Sequence, residues 1–331
     1  MSAKPATVNA MQAINLALHD AMKEDDSVIV FGEDLADPEG GGVLGVTKGL
    51  STTFGDSRVR STPISEQAII GAGIGAALGG LRPVTEIMLM NFAAVAMDMI
   101  TNHAAKLRFM SGGQTHVPMT IRTMTGAGAG NGGQHSDYLE AWFAHTAGIK
   151  VVTYSSPAEA YGLLLSAIFD EDPVIFIENL TTYFVTGPAP TRGALIPLGK
   201  ANVLRRGTDI SLISYGFMVN HAWAAAVELE KEGVSAEVID LRTVAPYDAE
   251  TILDSVGRTG RVVIVHEAVR NFGVGAEIAA EIAEALHGRL KSAPRRVGGS
   301  FNAVPFSKPL ETSHMPNPAR ILAAARSALG R

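Results

Sequence analysis

The chain has no cysteine among its 331 residues. Disulfides, thiolate nucleophiles and cysteine-ligated zinc or iron–sulfur centres are excluded. Aromatic residues make up only 6%, so a core has to be built from Ala, Val, Ile, Leu and Met. No apolar run is long enough for a bilayer. The nearest, Ile87 to Ile100, is interrupted by Asn91 and Asp98, and a span needs ~20 predominantly apolar residues. The segment Met1–Ala10 carries one lysine and no apolar stretch, unlike a secretory signal. A net charge of -6 argues against a broad nucleic-acid surface. No HExxH helix, EF-hand loop or GxxxxGK[ST] phosphate loop is present. These absences predict a cytoplasmic protein with no membrane and no nucleic-acid partner.

What is abundant points to a large α/β fold. Hydrophobic residues reach 47%, there are 35 glycines, and mean hydropathy is +0.18. Short β-branched runs alternate with Ala-rich stretches. Strands are predicted at Val28–Gly32, Pro83–Leu89, Pro118–Met124, Val151–Tyr154 and Val174–Glu178. A second set lies at Ile210–Tyr215, Ala236–Asp240, Arg261–Glu267 and Arg295–Val297. Their nearly continuous apolar character is that of parallel strands covered on both faces. Helices are predicted at Asn9–Lys23, Ser65–Gly79, Ala93–Met110 and Pro157–Phe169, then Val219–Glu232, Asp248–Gly257 and Ala276–Ala285. The expected architecture is two open, mainly parallel sheets with helices on both faces. The stretch GPAPTRGALIPL at Gly187–Leu198 reads as a linker. It divides the chain into domains 1–186 and 199–331, joined by 187–198.

Residues 71–76 read GAGIGA, but helix-like residues precede them rather than a strand. Gly71, Gly75 and Gly79 would share a helical face and let another helix approach. Packing is thus favoured over dinucleotide binding. The second cluster, GAGAGNGG at 126–133, follows a strand and precedes Gln134, His135 and Ser136. A flexible turn is the simple explanation. Loops after parallel strands also place ligands, which makes His135 a candidate.

The block STPISEQAIIGAGIGAALGGLRPVTEIM (61–88) resembles the TPISE segment of E1 beta subunits of thiamine-diphosphate-dependent 2-oxo acid dehydrogenases. Further blocks match in the same order: VIVFGED (28–34), GGVLGVTKGL (41–50), FGDSRV (54–59), AAKLRFMSGG (104–113), QHS (134–136), HTAGIKVV (145–152), DPVIFIEN (172–179), VIDLRTVAPYD (238–248), HEA (266–268) and FGVGAEI (272–278). GGVLGVTKGL with IRTMTGAG (121–128) looks most like the acetoin dehydrogenase branch. The resemblance implies a transketolase-like pyrimidine-binding domain over 1–186 and a transketolase C-terminal domain over 199–331. It implies that Glu66 holds N1′ of thiamine diphosphate and favours the tautomer that takes the C2 proton. It also implies that Phe92 lies against the aminopyrimidine, with Ile87, Met88 and Met90 as apolar walls. His135 matches the active-site histidine, with a role in passing the acyl group to a lipoyl thiol.

Each residue also has a plainer reading. Glu66 could serve as a helix first-turn carboxylate, supported by capping from Ser65 or Thr62. Phe92 could be a core residue. Arg122 could anchor an acidic substrate, although an arginine at a strand end is more often structural. His145 reads as structural, and Ala147 stands where the family usually has proline. His103, His116 and His314 receive no role. Some relatives hold a structural K+, and the matching positions are Met119, Ala167, Ile168, Asp170 and Asp172.

The family holds the cofactor diphosphate and Mg2+ through a GDG…N motif on its alpha subunit. This chain has Gly55 and Asp56 without that motif, so no Mg2+ site is expected in it. The resemblance therefore implies an alpha2beta2 assembly with an E1 alpha subunit and a second beta chain. It also implies a lipoyl-bearing E2 and a 2-oxo acid or acetoin as substrate. Residues Phe306–Pro318 are a candidate surface for beta–beta contact or E2 docking. A split transketolase or acyloin-forming lyase is an alternative, as is a non-catalytic scaffold subunit.

Overall fold

The computed structural model describes residues 7–331, so most of the Met1–Ala10 segment lies outside the described residues. Two compact units emerge. The first runs to Thr125 and resumes over Trp142–Leu198; the second combines Gly126–Ala141 with Gly199–Arg331. Residues 126–141, within the predicted first domain, thus cluster with the second unit.

In the first unit, six strands form a parallel sheet. They are β1 (Val28–Glu33), β2 (Val59–Thr62), β3 (Arg82–Leu89), β4 (Thr120–Thr125), β5 (Lys150–Thr153) and β6 (Val174–Asn179). They lie in the order β5-β6-β4-β3-β1-β2. Strand β6 is buried along its whole length, as a parallel strand covered on both faces requires. Helix α1 (Ala10–Glu24) starts at a capping box in which Asn9 Oδ1 accepts from the Gln12 amide and Gln12 Oε1 accepts from the Asn9 amide. Its Ala13, Ile14, Ala17 and Leu18 join one core with Leu163, Leu164 and Phe176.

Helix α2 (Glu66–Leu78) follows the expected span, but its glycines act differently from the predicted stripe. A Cβ on Gly75 would meet nothing within 4 Å. One on Gly73 would lie 2.8 Å from Thr85 Cγ2 and 2.9 Å from Met119 Cε. The close approach is therefore between helix and sheet, at Gly73. The single helix predicted over Ala93–Met110 is instead broken. Helix α3 (Ala93–Asp98) passes into a π-helical turn at Met99–Ala104, then a short helix at Leu107–Met110. Within it, the Thr101 hydroxyl donates to the Met97 carbonyl at 2.7 Å, competing with the helical ladder. Helix α4 (Pro157–Ile168) begins at an Ser156 cap with proline in its first turn.

The predicted linker is tied to the first unit. Thr186–Pro188 pairs antiparallel with Thr7–Asn9. The Ile196 amide donates to the Gly162 carbonyl at 3.2 Å. A Cβ on Gly162 would come within 2.7 Å of Ile196 Cγ1.

The second unit holds β7 (Asn202–Arg205), β8 (Ile210–Ser214), β9 (Ala236–Asp240), β10 (Val262–Val269) and β11 (Arg295–Gly299). Their order is β11-β10-β8-β9-β7, parallel except for the antiparallel edge β7. Helices α5 (Met218–Lys231), α6 (Lys308–His314) and α7 (Pro318–Leu329) follow in chain order. Ala222, Ala225 and Leu229 of α5 share a core with Ile321 and Ala325 of α7.

The two helix glycines make opposed predictions. Gly73→Ala must displace the stiff Thr85 side chain, and overpacking of this kind costs roughly 1–3 kcal/mol. Gly75→Ala enters open space and gains about 1 kcal/mol of helix propensity. Thermal melts of the isolated chain should show the first variant below wild type and the second above it.

Candidate active site at the carboxyl ends of the strands

Open α/β sheets bind ligands outside the carboxyl ends of their strands. Here β1 ends at Glu33, which pairs in register with Thr62 at the end of β2. Glu66 follows as the first residue of α2 and is 7% exposed. Glu66 does stand in the helix's first turn, as its plainer reading expects, but the side-chain caps offered with that reading are not formed. Ser65 makes no side-chain cap bond, and Thr62 Oγ1 is buried without a hydrogen-bond partner. The Glu66 carboxylate makes no hydrogen bond to the described residues.

Glu33 is a neighbour that sequence reasoning missed. It is buried, and its Oε1 has no hydrogen-bond partner. Burial raises its carboxyl above the usual range, and the charges of Glu66 and Asp34 push it the same way. The signal was present in VIVFGE, an apolar run that closes on a carboxylate at a strand's carboxyl end.

Met88 and Phe92 lie at the end of the neighbouring strand. Phe92 is half-buried in the 3-10 turn Met90–Phe92 that leaves β3. Met88 lines a small cavity with Val43, Leu44, Glu86, Glu178 and Tyr183. Ile87 and Met90 are fully buried and belong to the core.

Arg122 is built into the sheet. Its Nε and NH2 donate to the two Glu178 oxygens at 2.6 and 2.9 Å, and NH1 donates to Glu86 Oε2 at 2.6 Å. Tyr183 also donates to Glu178. Burial pushes the Glu86 carboxyl up to about 6, against the pull of Arg122. With every guanidinium nitrogen on a carboxylate, Arg122 is the structural arginine of the two readings.

Three of the five candidate K+ positions, Ile168, Asp170 and Asp172, are contacted by cationic side chains. Arg82 NH1 donates to the Asp170 carbonyl at 3.1 Å and the Ile168 carbonyl at 3.4 Å. Lys150 Nζ reaches both Asp170 carboxylate oxygens, and Arg108 NH1 donates to Asp172 at 2.6 Å. The Met119 carbonyl accepts from the Val174 amide, and the Ala167 carbonyl from the Asp170 amide.

His135 belongs to the second unit, and Glu66, Met88 and Phe92 to the first. His135 is exposed on the one-turn helix Gly133–Ser136. Near His145, which is also exposed, Gly148 takes φ 97, and a Cβ there would lie 1.9 Å from the Ala105 carbonyl. The turn thus depends on glycine.

Residues 6–184 match the family described as "Transketolase, pyrimidine binding domain", and residues 199–321 match "Transketolase, C-terminal domain". The acetoin:2,6-dichlorophenolindophenol oxidoreductase subunit beta of Cupriavidus necator is 45% identical, with 96% of each chain covered. The pyruvate dehydrogenase E1 component subunit beta of Bacillus subtilis is 43% identical, covering 98% of this chain and 99% of that one. The chain belongs to the E1 beta family. Among solved structures, a split-gene transketolase described as an inactive beta4 tetramer matches with a TM-score of 0.80 at 22% identity, covering 98% of both chains. That likeness concerns the fold alone. Among the described residues, no helix of this E1 beta chain is long and apolar enough to cross a membrane.

This E1 beta chain also carries a buried titratable cluster in its second unit. His266 is fully buried, and burial pushes it down to about 4. It stacks on Tyr215 at 6.2 Å, and the Tyr215 hydroxyl donates to Glu140 Oε1 at 2.6 Å. Burial pushes Glu140 up to about 7, against the hydrogen bond from Tyr215. A raised carboxyl stabilises the fold while protonated, so this contribution is complete below about 4.5 and is lost as pH rises through about 7. At about 1.4 kcal/mol per unit, the loss is roughly 3 kcal/mol. Urea titrations between pH 5 and 8 should show Glu140→Gln losing less stability than wild type; parallel profiles would refute the assignment.

Proposed function

We propose that this E1 beta chain forms one half of a thiamine-diphosphate-dependent active site. The complete site cleaves a 2-oxo acid or acetoin and passes the acyl group to a lipoyl-bearing E2. When bound, the cofactor supplies an electron sink for breaking the bond beside a carbonyl. Glu66 holds the pyrimidine nitrogen N1′ and shares a proton there. Phe92 lies along the pyrimidine ring and adds stacking worth ~0.5–1.5 kcal/mol beyond burial. Met88 supplies an apolar wall that excludes water. His135 holds and moves a proton during acyl transfer to the lipoyl thiol.

Glu66 carries the reading. It is a buried carboxylate with no hydrogen bond to the described residues, beside Glu33 with its orphaned Oε1. Burying an unpaired polar atom such as Glu33 Oε1 is costly, and the Glu66 carboxylate beside it is placed to meet a ligand nitrogen. The likeness to the acetoin- and pyruvate-handling relatives supports the same chemistry.

No GDG…N motif occurs in the chain. The diphosphate and Mg2+ are therefore assigned to an E1 alpha subunit in an alpha2beta2 assembly with a second beta chain. The setting is cytoplasmic. The exposed Phe306 and Leu310 keep 306–318 a candidate for beta–beta or E2 contact.

Glu66→Gln, co-expressed with the alpha chain, should fold and assemble but lose at least about a hundredfold in turnover. The assay is a panel of 2-oxo acids, acetoin and sugar acceptors. Near wild-type turnover by the variant, or thiamine-dependent turnover by the beta chain alone, would sink the reading. Turnover confined to sugar acceptors would favour a split transketolase, and none with any substrate a scaffold. K+ enters only as a competitor of Arg82 for the Ile168 and Asp170 carbonyls. Exchanging K+ for Na+ should leave the melting temperature unchanged, and a K+-specific rise would restore the ion to the site.

A further inference from the structure

The glycine-rich segment before His135 is a cradle for a carboxylate of its own chain. Gly126, Gly128, Gly130 and Gly132 have φ of 115, 122, 73 and 73, a region that side-chain-bearing residues rarely enter. Backbone amides turned inward in such a conformation can hold an anion. Glu311 of α6 occupies this cradle. Its Oε1 accepts from the Gly128 amide at 2.7 Å and the Gly130 amide at 3.1 Å. Glu311 is 1% exposed, and its Oε2 has no hydrogen-bond partner. The nearest cation, Lys308 Nζ, lies 3.9 Å from Oε2 and donates to the Gly128 carbonyl at 2.7 Å.

Neighbouring contacts hold the segment at both sides of that cradle. Glu267 Oε1 accepts from the Ala127 amide at 2.7 Å. A Cβ on Gly132 would lie 2.3 Å from Phe306 Cζ, and one on Gly133 would lie 3.1 Å from Ala303 Cβ. The His135 amide donates to the Gly132 carbonyl at 3.2 Å, so the imidazole stands on the turn that begins where the clasp ends. All these residues lie in the second unit.

We propose that Glu311 is a positioning residue for His135, fixing the glycine-rich segment through two charge-assisted hydrogen bonds. The inference rests on the acyl-transfer role given to His135 above. Charged-group hydrogen bonds are individually strong, and glycine backbone without them is free to take many conformations. Glu311 touches no substrate; it acts by limiting where the imidazole can go.

Two measurements test the proposal, both on the full chain. In the complex with the alpha subunit, substrate cleavage is read with an artificial dye acceptor, and acyl transfer with free lipoamide. Glu311→Ala should lower kcat for lipoamide acylation by about a hundredfold, with dye-coupled cleavage within about twofold of wild type. Glu311→Gln, which keeps the accepting oxygen, should recover most of the rate. Adding Glu311→Ala to His135→Ala should cost nothing further. Additive losses, or full acylation by Glu311→Ala beside an impaired His135→Ala, would overturn the inference. Full acylation by His135→Ala would instead refute the role of the histidine, and the positioning role with it.

Amide hydrogen exchange reads the clasp without turnover. Gly128 and Gly130 should be protected in wild type and in Glu311→Gln, and unprotected in Glu311→Ala. Unprotected amides in wild type would overturn the proposal even if the alanine variant failed to fold.

Discussion

The Arg122 guanidinium ties together three neighbouring strands of the first sheet. Glu86 on β3 and Glu178 on β6 flank it on β4, and Arg122 stands in register with Glu86. Removing a partner from such a group would leave an uncompensated buried charge, typically worth about 3–5 kcal/mol. Sliding a strand by one residue would turn its side chain to the other face. The network therefore specifies register where a run of interchangeable Val and Ile residues would not. Register in turn decides which residues reach the carboxyl edge: Glu33 closes β1, Thr62 closes β2, Met88 lies near the end of β3 and Phe92 just beyond it.

That edge is where the first unit holds polar groups it cannot satisfy alone. Glu33 Oε1 and Thr62 Oγ1 are buried without partners, and Glu66 makes no hydrogen bond to the described residues. Arg122 in the sheet interior shows the opposite state, with each nitrogen on a carboxylate. The second unit uses carboxylates differently again. Glu267 and Glu311 are spent on backbone amides of the segment bearing His135.

The open strands and most long helices were legible in the sequence because they bury continuous or periodic apolar runs. Ala236–Asp240 coincides with its predicted span. Three kinds of feature were not legible. The 93–110 helix breaks at a π-helical turn, where a threonine hydroxyl competes for a backbone carbonyl. Short β2 and β7 have too few residues for a pattern. Pro318–Leu329 follows a proline-rich stretch that masks its start, although Asn317 and Pro318 are a cap and a first-turn proline. The glycine stripe misled because spacing shows which residues share a face, but not what lies opposite it.

Composition and ordered motifs determined the α/β class and the E1 beta family, and nominated Glu66, Phe92 and His135, because these depend on residue type and order along the chain. Tertiary structure decided that Arg122 is structural, that Glu33 accompanies Glu66, and that Gly73 rather than Gly75 is the tight contact. It also decided that the glycine-rich loop grips Glu311, 181 residues away from Gly130. Each of these depends on which distant groups share a few ångströms, and hydrogen bonds and exclusion act over that distance irrespective of separation along the chain.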